Sequence, residues 1–390
     1  MSIQILVSLL CAAATTVLAS DLLLKNGDFE SPPRNVSPTA TNPYFLLTQS
    51  NPIPAWTFNG TVQYVTSGPN VSLPGDGHAI QLGLDGSINQ TFIADGAYMY
   101  VLTFTLAPGG ENCSTASALA VSTPGDTAQF YLEQRYGKEA WESHARGFMN
   151  WVRKGVPVNL ELKSQPTEAD PNITCGPVID TLLLKGVDPP RVYSGNELIN
   201  GDLEIGPEFL INSTEGILLD AVTDTAQSAL QGWTVMGTVK YIDSNHYKVP
   251  QGKAAIEIVS GSLGGIQQTL VLQKGWTYNL SFVMGDANDT CMGDFILGVQ
   301  AGSTSNNFTM QSNGTGSTQS FSMKFKADHS EPTAISFISY TDSQSRDLEF
   351  CGPVIDNVVL GASYGTRLEV YSGILYSCIV FLVMVLSKTM

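Results

Sequence analysis

The sequence predicts an all-β protein made of two tandem jelly-roll β-sandwich domains. Three observations predict it. The hexapeptide CGPVID occurs twice, at Cys175 to Asp180 and at Cys351 to Asp356. Apolar residues alternate with polar ones in the best-patterned stretches, the spacing of half-buried antiparallel strands. No long stretch carries a helical period, while 37 glycines and 20 prolines punctuate the chain at short intervals.

The repeat extends well beyond the hexapeptide. KNGDFE ends at Glu30 and INGDLE at Glu204; Asn26 lies 149 positions before Cys175, and Asn200 lies 151 before Cys351. Between these bookends PAW at Trp56 answers QGW at Trp233, GHAIQLG answers GKAAIEI, INQTF answers IQQTL, and YVLTFTL answers YNLSFVM, all in the same order. Ordered matches with small drift in spacing mark a tandem duplication, each copy the size of one hydrophobic core. The domains are residues 21–187 and 198–361, joined by a short stiff linker, 188–197, that holds two prolines.

The strand pattern is explicit. Phe321, Met323 and Phe325 point one way and Ser322, Lys324 and Lys326 the other. Tyr100, Leu102, Phe104 and Leu106 alternate with Val101, Thr103 and Thr105; Val158, Leu160 and Leu162 share a face, as do Phe295, Leu297 and Val299. Such half-buried strands pair as two sheets face to face.

The two ends read as targeting signals. Residues 1–19 include an uncharged apolar run closing on Val17 and Ala19, as in a secretory signal peptide. Residues 362–390 include a run from Ile374 to Leu386, whose thirteen residues would span only about 20 Å as a helix, short of a bilayer core. Gly361, Ala362 and Ser363, then a polar spacer and that tail, fit a GPI-anchor signal, with a short single-pass helix as the rival.

Six cysteines are encoded. Cys11 falls in the signal peptide and Cys378 in the tail, leaving two per repeat. Repeat symmetry favours Cys113–Cys175 and Cys291–Cys351, each closing a loop within one domain, in an oxidising compartment. Asn-X-Ser/Thr sequons begin at Asn35, Asn59, Asn70, Asn89, Asn112, Asn172, Asn212, Asn279, Asn288, Asn307 and Asn313, consistent with a secreted glycoprotein.

Each hexapeptide opens the last apolar run of its repeat, and its proline suits a strand start. Asp180 and Asp356 interrupt that run. Each either hydrogen-bonds a loop or shares a cation with the acidic bookend, Glu30 or Glu204.

The bookends, PAW, GHAIQLG and the doubled hexapeptide resemble the plant cell-wall proteins that carry domain of unknown function 642. The resemblance covers residues 21 to about 361. It implies two galactose-binding-like β-sandwiches, an apoplastic location, binding of wall polysaccharide and an association with pectin methylesterase. The layout of acidic bookend, tryptophan and final aspartate also resembles carbohydrate-binding modules of xylanases. That likeness implies a structural calcium held by Glu30 with Asp180 and by Glu204 with Asp356, with backbone carbonyls or Asp28 and Asp202 assisting.

No nucleophile elbow, zinc motif, P-loop or Cys-x-x-Cys appears, the four histidines occupy unmatched positions in the two repeats, and no motif demands a cofactor. Trp56 and Trp233 recur and read as core. Trp141, Trp151, Tyr136 and Trp276 are less symmetric and are the candidates for stacking on sugar rings. The net charge of −16 disfavours nucleic acid and de-esterified pectin. Neutral glucan, hemicellulose, methylated pectin or a basic pectin methylesterase are the electrostatically easier partners. The expected function is that of a non-catalytic wall-binding, regulatory glycoprotein at the cell wall or the outer face of the plasma membrane. A cell-surface protein-interaction module and a wall-active hydrolase are the alternatives.

Overall fold

The computed structural model describes residues 23–363 apart from 35, 37–42, 69–70, 75–76, 111–112, 114–117, 150–152, 166–172, 193, 222–227 and 329. The signal peptide, the tail from residue 364, Trp151 and the sequons at Asn35, Asn70, Asn112 and Asn172 lie outside the described residues.

The described residues form strands and no helix. The first repeat supplies β1 (Tyr44–Leu46), β2 (Thr57–Asn59), β3 (Val62–Thr66), β4 (His78–Leu82), β5 (Ser87–Ile93), β6 (Met99–Ala107), β7 (Ala118–Thr123), β8 (Asp126–Tyr131), β9 (Glu142–Met149), β10 (Pro157–Ser164) and β11 (Val178–Val187). The second supplies β12 (Ile217–Asp220), β13 (Thr234–Met236), β14 (Thr238–Asp243), β15 (Ala254–Glu257), β16 (Gly265–Val271), β17 (Thr277–Gly285), β18 (Met292–Ala301), β19 (Thr304–Asn313), β20 (Thr318–Lys326), β21 (Pro332–Ser339), β22 (Ser343–Gln344), β23 (Phe350–Cys351) and β24 (Val354–Ser363).

Each repeat is a sandwich of the same topology. Strands β2-β5-β10-β7-β8 form one sheet, matched by β13-β16-β21-β18-β19 in the second repeat. Opposite them lie β1-β3-β4-β11-β6-β9 and the equivalent β12-β14-β15-β24-β17-β20. The alternating apolar sets named above fill the two cores: Tyr100, Leu102, Phe104, Leu106, Val158, Leu160 and Leu162 in the first, and Phe295, Leu297, Val299, Met323 and Phe325 in the second. Trp56 and Trp233 are core residues, and their indole N–H groups donate to the carbonyls of Asn26 and Asn200 at 2.9 Å.

Each repeat is closed by a clasp between its two ends. The last strand bulges just after the hexapeptide, between Asp180 and Leu183 and again beyond Asp356. Thr181 and Asn357 sit there at φ 51° and 49°. The amide after each bulge bonds the glycine of the N-G-D bookend: Leu182 N to Gly27 O at 2.8 Å, and Val358 N to Gly201 O at 2.7 Å. A Cβ on Gly27 would lie 2.2 Å from the Leu182 carbonyl oxygen, and one on Gly201 2.1 Å from that of Val358, so only glycine fits. Ile179 and Ile355 face the sandwich cores, whereas Val178 and Val354 pack under loops on the other face.

Disulfides Cys113–Cys175 and Cys291–Cys351 tie the entry of β11 to the loop after β6, and the entry of β24 to the start of β18. They close stretches of 62 and 60 residues.

The two sandwiches share one sheet. Edge strand β9 of the first pairs in parallel with edge strand β12 of the second, Ser143 against Ile217 and His144 against Leu218. The result is a twelve-stranded sheet. Residues in register point to the same side of a sheet. His144 stacks on Phe104 inside the first core, so its partner Leu218 faces away from the second core, while Ile217 lies within it. The sheet therefore buries one face in the first repeat and the opposite face in the second. Met99, Val101 and Ala145, on the outer face of the first sandwich, join the core of the second. Every residue of β6 is buried, although its alternation predicts a half-buried strand: on the outer face the second core covers Met99 and Val101, and the Trp141 cluster of the first repeat covers Ala107.

Further bonds reinforce the seam: Phe350 N to Arg135 O at 2.8 Å, Lys138 N to Glu215 Oε1 at 3.0 Å, Gln231 Nε2 to Asp188 O at 2.7 Å, and the Lys185–Glu208 ion pair. A shared core and a shared sheet couple the unfolding of one sandwich to that of the other. Calorimetry of the intact protein is expected to show one cooperative transition with matching calorimetric and van't Hoff enthalpies; two separated transitions would contradict the coupling.

Candidate functional site

The clasp positions the acidic bookends. Phe29 and Leu203, at φ 53° and 56°, turn the chain so that Glu30 and Glu204 reach the strands opposite. Glu30 accepts from His78 N at 2.7 Å and lies 2.8 Å from His78 Nδ1. Glu204 accepts from Lys253 N at 2.8 Å. Asp180 accepts from Thr181 N at 2.6 Å; Asp356 accepts from Asn357 N, at 2.5 Å, and from Gln251 N, at 2.7 Å. All four carboxylates thus serve backbone amides.

Asp180 and Asp356 are nonetheless buried deeply enough to suffer for their charge. Burial, with Glu30 and Asp28 adding repulsion, pushes the Asp180 carboxyl up to about 8. Burial, with Glu204 and Asp202 adding, pushes Asp356 up to about 7. Among the described residues no three His, Cys, Asp or Glu side chains converge on a metal position. A cation here would take these two carboxylates per repeat and complete its shell from backbone oxygens.

The stacking candidates separate on burial. Trp141 is buried in an apolar cluster with Val65, Val71, Leu73, Ala79 and Val178, and offers no open ring face. Tyr136 is buried against Leu218, Val259 and Phe350 at the seam. Both fail as sugar platforms because loops of the first repeat fold back over the shared sheet. Beneath Tyr136 lies a buried ion pair, Lys240 Nζ to Glu257 Oε2 at 3.2 Å. Burial pushes Glu257 up to about 7, partly offset by Lys240. Trp276 is 42% exposed at the turn before β17, and its first-repeat counterpart Tyr98 is 37% exposed.

The described sequons at Asn59, Asn212, Asn288, Asn307 and Asn313 are exposed, and those at Asn89 and Asn279 are half-buried. Gly361, Ala362 and Ser363 end β24, paired with Asn279, Tyr278 and Thr277.

A groove of about 670 Å³ lies at the junction, beside the second clasp. The end of β11 and the linker form one wall, with Lys185, Asp188 and Arg191; the segment from Glu204 to Phe209, with Tyr241 and Lys253, forms the other. Phe209 lies parallel to Tyr241, ring centroids 4.9 Å apart and planes within 3°. Phe209 is half-buried: it packs on Tyr241 and against the second core, and it lines the groove. The first repeat differs at the same place: His78 stacks on Tyr64 at 5.1 Å. Sequence reasoning missed Phe209, Tyr241 and Lys253. In strand register Lys253 stands where the first repeat has Gly77, and Ala254 where it has His78, a one-residue offset from the sequence match of the two motifs.

Fold and site define a disulfide-linked tandem β-sandwich protein with a junctional groove. The chain belongs to the family described as protein of unknown function DUF642, whose model matches residues 22–185 and 196–361. Relatives from Arabidopsis thaliana include the protein DUF642 L-galactono-1,4-lactone-responsive gene 2, 33% identical over 90% of this chain and 94% of that protein. Protein TEEBE is 31% identical over 87% of this chain and 91% of that protein. Among solved structures, the tandem CBM22-1–CBM22-2 domains of Paenibacillus barcinonensis Xyn10C align over 82% of this chain and 98% of that chain. Identity there is 11% and the TM-score 0.27.

A carboxyl whose folded pKa lies above its unfolded value binds a proton on folding, so stability falls as pH rises between the two values. Asp180→Asn keeps the acceptor for Thr181 N and removes the charge. In chelator it is expected to stabilise the protein by about 1–3 kcal/mol at pH 8–9 and to change little at pH 4. Denaturant titrations across that range check this; a variant less stable at pH 9 than at pH 4, relative to wild type, would contradict it.

Proposed function

We propose that the protein is a non-catalytic, secreted plant glycoprotein that binds cell-wall polysaccharide and modulates wall remodelling. The observation that carries the reading is the junctional groove: an open cleft whose floor offers an aromatic face and whose rims offer charged and polar groups. Carbohydrate is recognised by that combination, ring stacking for the apolar face of the sugar and hydrogen bonds for its hydroxyls. Its volume lies within the range of ordinary ligand sites.

Two disulfides require an oxidising compartment, which supports secretion. In this reading the exposed sequons carry glycans and a lipid added near Gly361 to Ser363 tethers the mature protein outside the plasma membrane. The net charge favours neutral glucan, hemicellulose or methylated pectin, and a basic pectin methylesterase as protein partner. Glu30 with Asp180, and Glu204 with Asp356, would each hold a structural calcium, which supplies the positive charge that the buried aspartates lack.

A glycan array with the deglycosylated protein, run in chelator and in millimolar calcium, tests the reading. Binding to wall polysaccharide without product release is expected. An array blank in both conditions, or release of shorter products, would overturn it. The same samples are expected to melt at higher temperature in calcium, because a ligand of the folded state stabilises it. Asp356→Asn is expected to lose about half of that rise, one of two equivalent sites; a wild type indifferent to calcium would remove the cation from the account.

A further inference from the structure

The repeats diverge where the groove lies, and the divergence has chemical content. Beside the first clasp Tyr64 is capped by His78, itself held by Glu30. At the second clasp the strand register puts Ala254 in the place of that histidine and Lys253 in the place of Gly77, and Phe209 takes over as the ring on the tyrosine. The exchange leaves a phenyl ring and a lysine in the wall of the groove.

The charges in the groove are not equally free. Lys185 is paired with Glu208. The Glu204 carboxylate accepts the amides of Lys253 and Ala254. Arg191 reaches Asp188 only at 4.0 Å, both side chains largely in solvent. Lys253 has no carboxylate within ion-pair distance among the described residues. In a chain of net charge −16, the groove lining balances Lys185, Arg191 and Lys253 against Asp188, Glu204 and Glu208, and is less acidic than the molecule as a whole.

We propose that the groove binds a pyranose chain bearing isolated uronate groups: a ring stacks on Phe209, and the uronate pairs with Lys253 and Arg191. A densely charged polyuronate is rejected by the acidity of the molecule as a whole, and a fully neutral chain forgoes the ion pair. This inference rests on the carbohydrate-binding reading and names the site and ligand class within it.

The test is titration calorimetry of the purified protein in chelator, which removes calcium bridging, with three probes. They are an unsubstituted xylohexaose, a xylo-oligosaccharide of similar length carrying one glucuronic acid, and a de-esterified hexagalacturonate. The singly charged chain is expected to bind tightest, the neutral one about two- to fivefold weaker, and the hexagalacturonate weakest. Phe209→Ala is expected to weaken both xylan probes about tenfold or more, and Phe209→Tyr to retain them. Lys253→Gln is expected to erase only the advantage of the charged chain, with Lys253→Arg restoring it. Circular dichroism and melting temperature confirm that each variant folds. Full affinity in folded Phe209→Ala, or equal loss for charged and neutral chains in Lys253→Gln, would overturn the proposal. If a glycan array finds a ligand and none of these three binds, the groove assignment falls and the binding reading stands. If the array is blank, the binding reading falls as well.

Discussion

The structure depends on one backbone contact made twice: the amide that follows the bulge of the last strand, bonded to the glycine carbonyl of the N-G-D bookend. The first and last segments of a repeat must meet at van der Waals distance for this bond to form, which is why a side chain is excluded at Gly27 and Gly201. Much else follows from it. The bulge buries Asp180 and Asp356 with their charge poorly solvated. The turn brings Glu30 and Glu204 to the opposite strands, and the same turn offers the carbonyls that anchor Trp56 and Trp233. The doubled hexapeptide is thus the strand-entry half of a clasp whose other half is the doubled bookend.

The seam explains why two copies of one fold do not do the same thing. Because β9 is an edge of one sandwich and β12 of the next, parallel pairing joins them without disturbing either ladder, and closes two exposed edges. The same pairing reverses the buried face of the sheet. The loop of the first repeat that carries Tyr136 is packed against Leu218, Val259 and Phe350 of the second, and a groove opens at the junction beside the second clasp. Phe209 and Lys253 stand where that groove opens; in the first repeat Tyr64, the counterpart of Tyr241, is stacked by His78.

The tandem sandwiches, the strand faces and the cysteine pairing are legible in the sequence because each rests on a local pattern. A period of two sets the strand faces, a repeat sets the domain plan, and matched cysteines set the cross-links. The meeting of bookend and last strand was legible as well, since closing a sandwich brings its terminal strands together. The seam was not. β9 carries no signal of its parallel partner, and Met99 and Val101 look like part of an ordinary solvent face until a second sandwich covers them. The burial of Trp141 and Tyr136 is likewise illegible, since an aromatic residue in sequence says nothing of what packs over it, whereas Trp276 is exposed. Phe209 was hidden because its partner is defined by ring geometry and not by spacing.

The clasp itself is tested most directly by giving each glycine a methyl group. Gly27→Ala and Gly201→Ala, followed by denaturant unfolding and near-ultraviolet circular dichroism, measure what that contact is worth. The account predicts a loss of about 2 kcal/mol or more in each variant, together with a changed tryptophan signal, because Trp56 and Trp233 bond to the carbonyl of the residue just before each glycine. Unchanged unfolding midpoints with unchanged tryptophan signals would show that the ends of each repeat are held by something else.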